Sequence, residues 1–363
     1  MAFTIICFGC LTDTTQQAAA QSQNVQNFIA VAGSPAEHSA AIQNGIDNAG
    51  AGAVIYFPPG IYRFAKPIQL KSFQIYRGSR SAILTPASGN SAPIFQIHDS
   101  TSITISGLNF HGGGIHLTGT NQAIRIIGNV FKDIIDPNAT FGSETAIFVA
   151  GPTSQSVIQS NKFNRIGLRG GRPGAKNGAA LLAFHLADTA ISGNEFKDVY
   201  QAISLIFEAR PGTGNKISVT GNRITNAFRM GIEAQGPGTR AARFEANTVV
   251  MHHTGDEDIG LSIVLKSATS TMVKSNKVVR LASVPKSCTG MGIEVAGIGT
   301  RVEHNDIRGP WCSAIGISSK NGEYSEVVGN KICGHRGPYD VISFYEGRGR
   351  STSERNSVVR HCR

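Results

Sequence analysis

Residues 231–249 read GIEAQGPGTRAARFEANTV, and both ends of that stretch recur down the chain. The far end places Asn247 two positions before the apolar Val249. The same frame appears at Asn129, Asn161, Asn194, Asn222, Asn276, Asn305, Asn330 and Asn356, followed by Phe131, Phe163, Phe196, Ile224, Val278, Ile307, Ile332 and Val358. Successive asparagines lie 25 to 33 residues apart. Units of that size cannot each bury a core of their own, so they are expected to stack and share one.

The near end, Gly231 to Gly236, alternates apolar with variable residues. Related runs are GIHLTG at 114–119, AIFVAG at 146–151, AISLIFE at 202–208, GLSIVLK at 260–266, GIEVAG at 292–297, AIGISSK at 314–320 and VISFYEG at 341–347. A period of two is strand geometry and turns Ile115, Ile147, Ile203, Ile232, Leu261, Ile293, Ile315 and Ile342 to one side. A second short strand is expected to run into each asparagine and a third to follow it. Nothing between them reads as a helix, so a parallel β-helix is the economical solution. Asparagine is expected at the corner in the left-handed conformation, its amide bonding to the next coil in a ladder.

The N-terminal region adds SAAIQNGI at 39–46 and GAVIYFPPGIY at 52–62. With these, residues 30–363 resemble the right-handed parallel β-helix proteins of the pectate-lyase-like superfamily. Glu37 and His38 stand where that family usually has acidic and threonine residues. The resemblance implies an all-β, single-domain right-handed parallel β-helix of about ten coils with a short N-terminal capping helix. It also implies activity on polysaccharide, with homo-oligomers as an option. It specifies chemistry less well, because lyases, hydrolases, epimerases, tailspikes and adhesins share this fold. The sequence lacks the Asp-Asp pair and Gly-His-Gly of polygalacturonases and the Asp-Pro-His-Asp of alginate epimerases. RGGRPGAK at 169–176 does not match the Arg-x-Pro-x-x-Arg of the best-known pectate lyases.

The 363 residues include 42 glycines and only 16% charged side chains, as a turn-rich β chain requires. A formal net charge of +10 would concentrate an acidic polymer at the surface. Nucleic acid is a poor partner, because no Lys/Arg run is interleaved with aromatics and Trp311 is the one tryptophan. Residues 1–28 read as a signal-like leader, with apolar Phe3 to Leu11 and the small residues Ala18 to Ala20, and 29–363 as the β-helix. The expected location is therefore secreted or periplasmic. No other run approaches the ~18 apolar residues of a membrane span. Cys333 and Cys362 follow successive asparagines by three and six residues, and Cys288 and Cys312 precede successive strands. Both pairs can bridge adjacent coils, and four free thiols remain the alternative.

In the resembling enzymes the cleft runs along the strand of the Gly-Ile runs. Alternation makes His116, Phe148, Ser204, Glu233, Ser262, Glu294, Gly316 and Ser343 one outward column, and Thr118, Ala150, Ile206, Gln235, Val264, Ala296, Ser318 and Tyr345 a second. Glu233 and Glu294 are the carboxylates of the first column. Two coils separate their backbones by roughly 9.6 Å, within reach of the ~6.5–9.5 Å of an inverting glycosidase pair. One would act as general acid and the other as general base. The repeated frame Gly-Ile-Glu also suits a solvated face with no chemistry. The loop HHTGDED at 252–258 offers Asp256 as a third catalytic candidate, and Asp256 with Asp258 as oxygen ligands for an optional calcium ion. No cofactor is required. Substrate-binding candidates are Gln235, Arg229, Lys266, His185, Glu208, Trp311 and Tyr345, with arginine suited to a uronate carboxylate and aromatics to sugar rings. Three functions remain open: a glycoside hydrolase, a polysaccharide lyase assisted by calcium or a basic residue, and a carbohydrate-binding β-helix without turnover.

Overall fold

The computed structural model describes residues 25–27, 34–87, 92–135, 144–167, 178–207, 214–237, 240–252, 258–281, 283, 290–319 and 323–362. Three faces of parallel strands wind around one apolar core. On the face built by the Gly-Ile runs, the inward register passes without interruption from Ile68 through Phe95, Ile115, Ile147, Leu181, Ile203, Ile232, Leu261, Ile293 and Ile315 to Ile342. From Phe95 to Ile315 every member of this column is 0% exposed. Each stacks on its neighbours above and below, which is how short units acquire a shared core.

The outward column drawn from the Gly-Ile runs omits one coil, although the sequence places a strand at 180–185, two coils before Glu233. Leu181–Ala183 lies between Ile147–Val149 and the strand of Ile203, and puts Leu182 in the outward column between Phe148 and Ser204. Nine asparagine frames required nine such strands, but Leu181 and Leu182 in succession hide the alternation.

The asparagine ladder is present, with a different division of labour from the expected one. The backbone N–H and side-chain amide of each asparagine donate to Oδ1 of the asparagine one coil on, at 2.9–3.1 Å, from Asn129 to Asn356. Its own Nδ2 also reaches a carbonyl of the preceding coil, as Asn247 does to Val219 at 2.9 Å. The positive φ belongs to the residue before it: Gly128, Ser160, Gly193, Gly221, Ala246, Ser275, His304, Gly329 and Arg355. The corner thus splits into an outward residue that bends the chain and a buried amide that satisfies the polar groups the bend exposes.

Two positions after their asparagines, Phe131, Phe163 and Phe196 continue a stack begun by Phe110, with centroids 4.6–5.0 Å apart and planes within 10°. Smaller apolar residues continue the column from Ile224. The N-terminal end of the core is closed by a helix, Pro35–Asn48, that buries Ile42 and Ile46. Ser34 and Glu37 form a capping box, with Glu37 Oε2 accepting from the Ser34 N–H at 2.7 Å. The helix therefore begins earlier than Ser39. Cys333 and Cys362 form a disulfide across adjacent coils, with Cα atoms 5.2 Å apart. Cys312 is disulfide-bonded as well, and Cys288, its expected partner, lies outside the described residues.

Candidate active site

The strands that bury Ile232 and Ile293 turn the alternate residues outward, and parallel register aligns those residues from coil to coil. Ser204, Glu233, Ser262, Glu294, Gly316 and Ser343 are successive partners. Glu233 and Glu294 are therefore two coils apart on one line, with Ser262 between them.

The two carboxylates differ in what surrounds them. Glu233 is 3% exposed. Its Oε2 accepts from Ser204 Oγ at 2.7 Å and from Gln201 Nε2, and its Oε1 accepts from Gln235 Nε2. Arg229 Nη1 donates to Gln201 Oε1 at 3.2 Å, which fixes the Gln201 amide with its NH₂ toward the carboxylate. Both carboxylate oxygens of Glu233 are thus held by amide donors. Glu294 is half-buried, and both its partners are hydroxyls: Ser262 Oγ on Oε2 at 2.6 Å and Tyr345 Oη on Oε1 at 2.9 Å. A hydroxyl, unlike an amide N–H, can either donate to or accept from a carboxyl oxygen. Tyr345 crosses the intervening coil because Gly316 has no side chain there: a Cβ at Gly316 would lie 3.3 Å from its ring and 2.3 Å from Met291 Sδ. Burial first, then the Glu294 charge, raises the Tyr345 phenol and keeps it neutral.

Gln235 and Tyr345 therefore stand with the two glutamates, and Arg229 acts one step back through Gln201. Lys266 is exposed toward the end of Ile259–Thr269, on the outward parity of Ser262 and Val264. Three expected site residues lie elsewhere. His185 is 5% exposed at the corner beyond Leu181–Ala183, on inward parity and outside the groove. Trp311 is 0% exposed; its indole N–H donates to the Arg308 carbonyl at 3.0 Å, and the Arg280 guanidinium lies 5.3 Å from its ring. It packs in the interior and offers no face to a sugar. Asp258 is fully buried with Oδ2 2.8 Å from Arg280 Nη2, so an ion pair takes it out of any calcium site. Asp256 and Glu208 lie outside the described residues. Among the described residues no group of three or more His, Cys, Asp or Glu side chains is placed to hold a metal ion.

Gln201, Ser204, Ser262 and Met291 complete the site and were not singled out from sequence. Ser204 and Ser262 are legible as column members flanking a glutamate. Gln201 is not, because within the strand Glu195–Ile206 the register shifts between Val199 and Gln201, and parity counting fails across that irregularity.

The sequence profile described as rhamnogalacturonase A/epimerase, pectate lyase-like, matches residues 22–82. No curated protein sequence matches the chain. Among solved structures, the Streptococcus pneumoniae surface protein and adhesin PfbA is similar at 14% identity and a TM-score of 0.64, over 88% of this chain and 93% of that one. A tailspike protein of E. coli bacteriophage HK620, in complex with a pentasaccharide, is similar at 12% identity and a TM-score of 0.57, over 88% and 62%. A DFA-IIIase from Arthrobacter chlorophenolicus A6, in complex with GF2, is similar at 17% identity and a TM-score of 0.50, over 86% and 94%. These identities speak to fold. The chain has the right-handed parallel β-helix fold, and its residues 22–82 match a pectate-lyase-like profile.

Proposed function

We propose that the protein is a glycoside hydrolase that cleaves a polysaccharide laid along the groove, with Glu294 as general acid and Glu233 as general base. The observation that carries this reading is the contrast between two carboxylates on one outward line. Buried Glu233 is held by two amides and one hydroxyl, whereas half-buried Glu294 is held by two hydroxyls, groups that can either donate to or accept from a carboxyl oxygen. Oε1 of Glu233 accepts one described bond and keeps a lone pair for a water molecule. A separation of two coils leaves space for that water beside the glycosidic bond, so inversion at the anomeric carbon is the expected outcome. The Cys333–Cys362 disulfide supports a location outside the cytoplasm, as a polysaccharide substrate requires.

The net charge of +10 and the exposed Lys266 favour a second reading, β-elimination on a uronate polymer with Lys266 or Arg229 as the base. One assay separates the two. Glycans are incubated with the protein and with Glu233→Gln and Glu294→Gln, following reducing ends and the absorbance of an unsaturated uronate. Hydrolysis gives reducing ends alone, and each substitution lowers the rate by about 10²–10⁴. Absorbance that persists in both variants would sink the assignment, and calcium dependence of that absorbance would implicate the Asp256 loop. Binding with neither signal would support a carbohydrate-binding β-helix.

A further inference from the structure

The outward line on the N-terminal side of Glu233 is built quite differently from the carboxylate region. From Gln69 it passes through Gln96, His116, Phe148 and Leu182 to Ser204, without a formal charge. On three successive coils the rings of His116, Phe148 and Phe184 touch edge to face, with centroids 5.3 Å apart for the first pair and 5.8 Å for the second. Phe184 belongs to the neighbouring outward column, two positions beyond Leu182. Each of the three rings is partly exposed although it projects from the core-distal side of the sheet. Three contacting rings that are partly exposed on an outward face suit a partner that tolerates apolar contact.

Burial presses the His116 imidazole down to about 4, so at neutral pH it too is an uncharged ring. Among the described residues, Lys266 on the groove face lies beyond Glu233 from the rings, and other cations lie on other faces. Arg223, Arg243, Lys277, Arg301 and Lys331 are exposed on strands of the other two faces.

We infer that His116, Phe148 and Phe184 form an apolar platform that binds uncharged sugar residues of the same chain that Glu233 and Glu294 cleave. Its substrate is therefore a neutral glycan, contrary to the acidic polymer suggested by net charge. The inference rests on the hydrolase reading for the word substrate and on the platform alone for binding. Phe148 and His116 lie on the same line as Glu233, three and four coils away, and Phe184 lies beside that line, two coils away. Coils rise about 4.8 Å each, close to the length of one pyranose in an extended chain, so successive sugars meet successive coils. A pyranose presents C–H groups on its face and hydroxyls at its edge. The face suits the rings, and the edge suits the amides of Gln96 and Gln69, themselves linked at 2.7 Å. A uronate carboxylate would be desolvated on this floor with no described cation to meet it, which is a cost that a neutral residue avoids.

The test is affinity electrophoresis and calorimetry of the full chain with neutral polysaccharides (β-glucan, xylan, galactan, fructan and dextran) and uronate polymers (polygalacturonate and alginate). At least one neutral polymer should bind, and Phe148→Ala and Phe184→Ala should each weaken it by about tenfold. Phe148→Leu and Phe184→Leu fill the space with a side chain that has no flat face. They should fold as the parent by circular dichroism and still lose affinity. Binding confined to uronate polymers, or neutral binding unchanged in all four variants, overturns the inference. The two claims fail separately. Neutral binding lost in the phenylalanine variants without turnover preserves the platform and removes the hydrolase. Turnover of a uronate polymer that needs both glutamates and ignores both phenylalanines does the reverse.

Discussion

Three side chains show how the solenoid places ionisable groups under different constraints. His116 projects outward yet is largely covered, and its buried Nε2 finds no hydrogen-bond partner among the described residues. Its pKa in the folded protein, about 4, lies below the ordinary 6.5. As pH falls through 6.5 the unfolded chain takes up this proton first, so His116 lowers stability progressively between about pH 6.5 and pH 4. His116→Phe keeps the ring and removes the titration. Thermal unfolding of this variant should lose less stability across that window than the parent, by an amount on the order of a few kcal/mol at the acid end. An unchanged slope would mean that another group titrates there.

Arg280 and Asp258 make the opposite case, a charged pair held wholly inside with Trp311 against the guanidinium. Burial acts first on Arg280 and lowers its pKa, and the Asp258 carboxylate opposes that shift. Arg280→Ala leaves Asp258 buried without its cation and should cost about 3–5 kcal/mol in chemical denaturation. A loss below 1 kcal/mol would show that water or another cation replaces it. The pair explains why the acidic run at 252–258 cannot be read from composition: of its carboxylates, Asp258 serves packing. Counting charges in a loop does not reveal which of them a distant strand neutralises.

At the scale of the element, the corner is the informative unit. Its asparagine amide is saturated by the coils on either side, and the left-handed bend falls one residue earlier, where side chains as different as Ala246, Ser275, His304 and Arg355 serve. The asparagine frame was legible because the amide is irreplaceable there. The bend is not confined to glycine or asparagine, so the residue that makes it leaves no consistent letter. Asn247→Ala would strand the N–H and amide of Asn222 and the Val219 carbonyl. Each stranded buried polar group costs about 1–3 kcal/mol, so the variant should be destabilised by at least about 3 kcal/mol in urea. Ala246→Ser, on the outward side of the same corner, should shift stability by less than about 0.5 kcal/mol. Equal effects from the two would contradict the division between buried amide and exposed bend.

Across the whole molecule, stability is carried from coil to coil, and the two ends are finished differently. The capped helix covers the N-terminal end of the core. At the C-terminal end Val358 is 51% exposed, Phe344 is only partly buried, and the Cys333–Cys362 bond ties the final coil to its neighbour. In a quasi-one-dimensional stack an end coil can open without the rest. Cys362→Ser should therefore speed tryptic cleavage at Arg348, Arg350 and Arg355 while shifting the main thermal transition by less than about 2 °C. A large fall of that transition would mean that the last coil is integral to a single cooperative unit.

The sequence by itself determined the repeat, the three strands per coil, the shared apolar core and the line that joins Glu233 to Glu294. All of these follow from periodicity, because a parallel stack converts equal spacing in the chain into vertical alignment. Tertiary structure alone decided the environment of each aligned side chain. Gln201 and Arg229 converge on Glu233 from a register irregularity that breaks parity, and Tyr345, two coils from Glu294, reaches it over Gly316. Trp311 and Asp258 turn inward for the same reason, whereas His185 keeps the inward parity of Leu181 and Ala183. Corners vary in length and path, so a residue's direction there depends on what the neighbouring coils leave open. Along the strands a side chain's direction is set by counting, and at the corners it is set by packing.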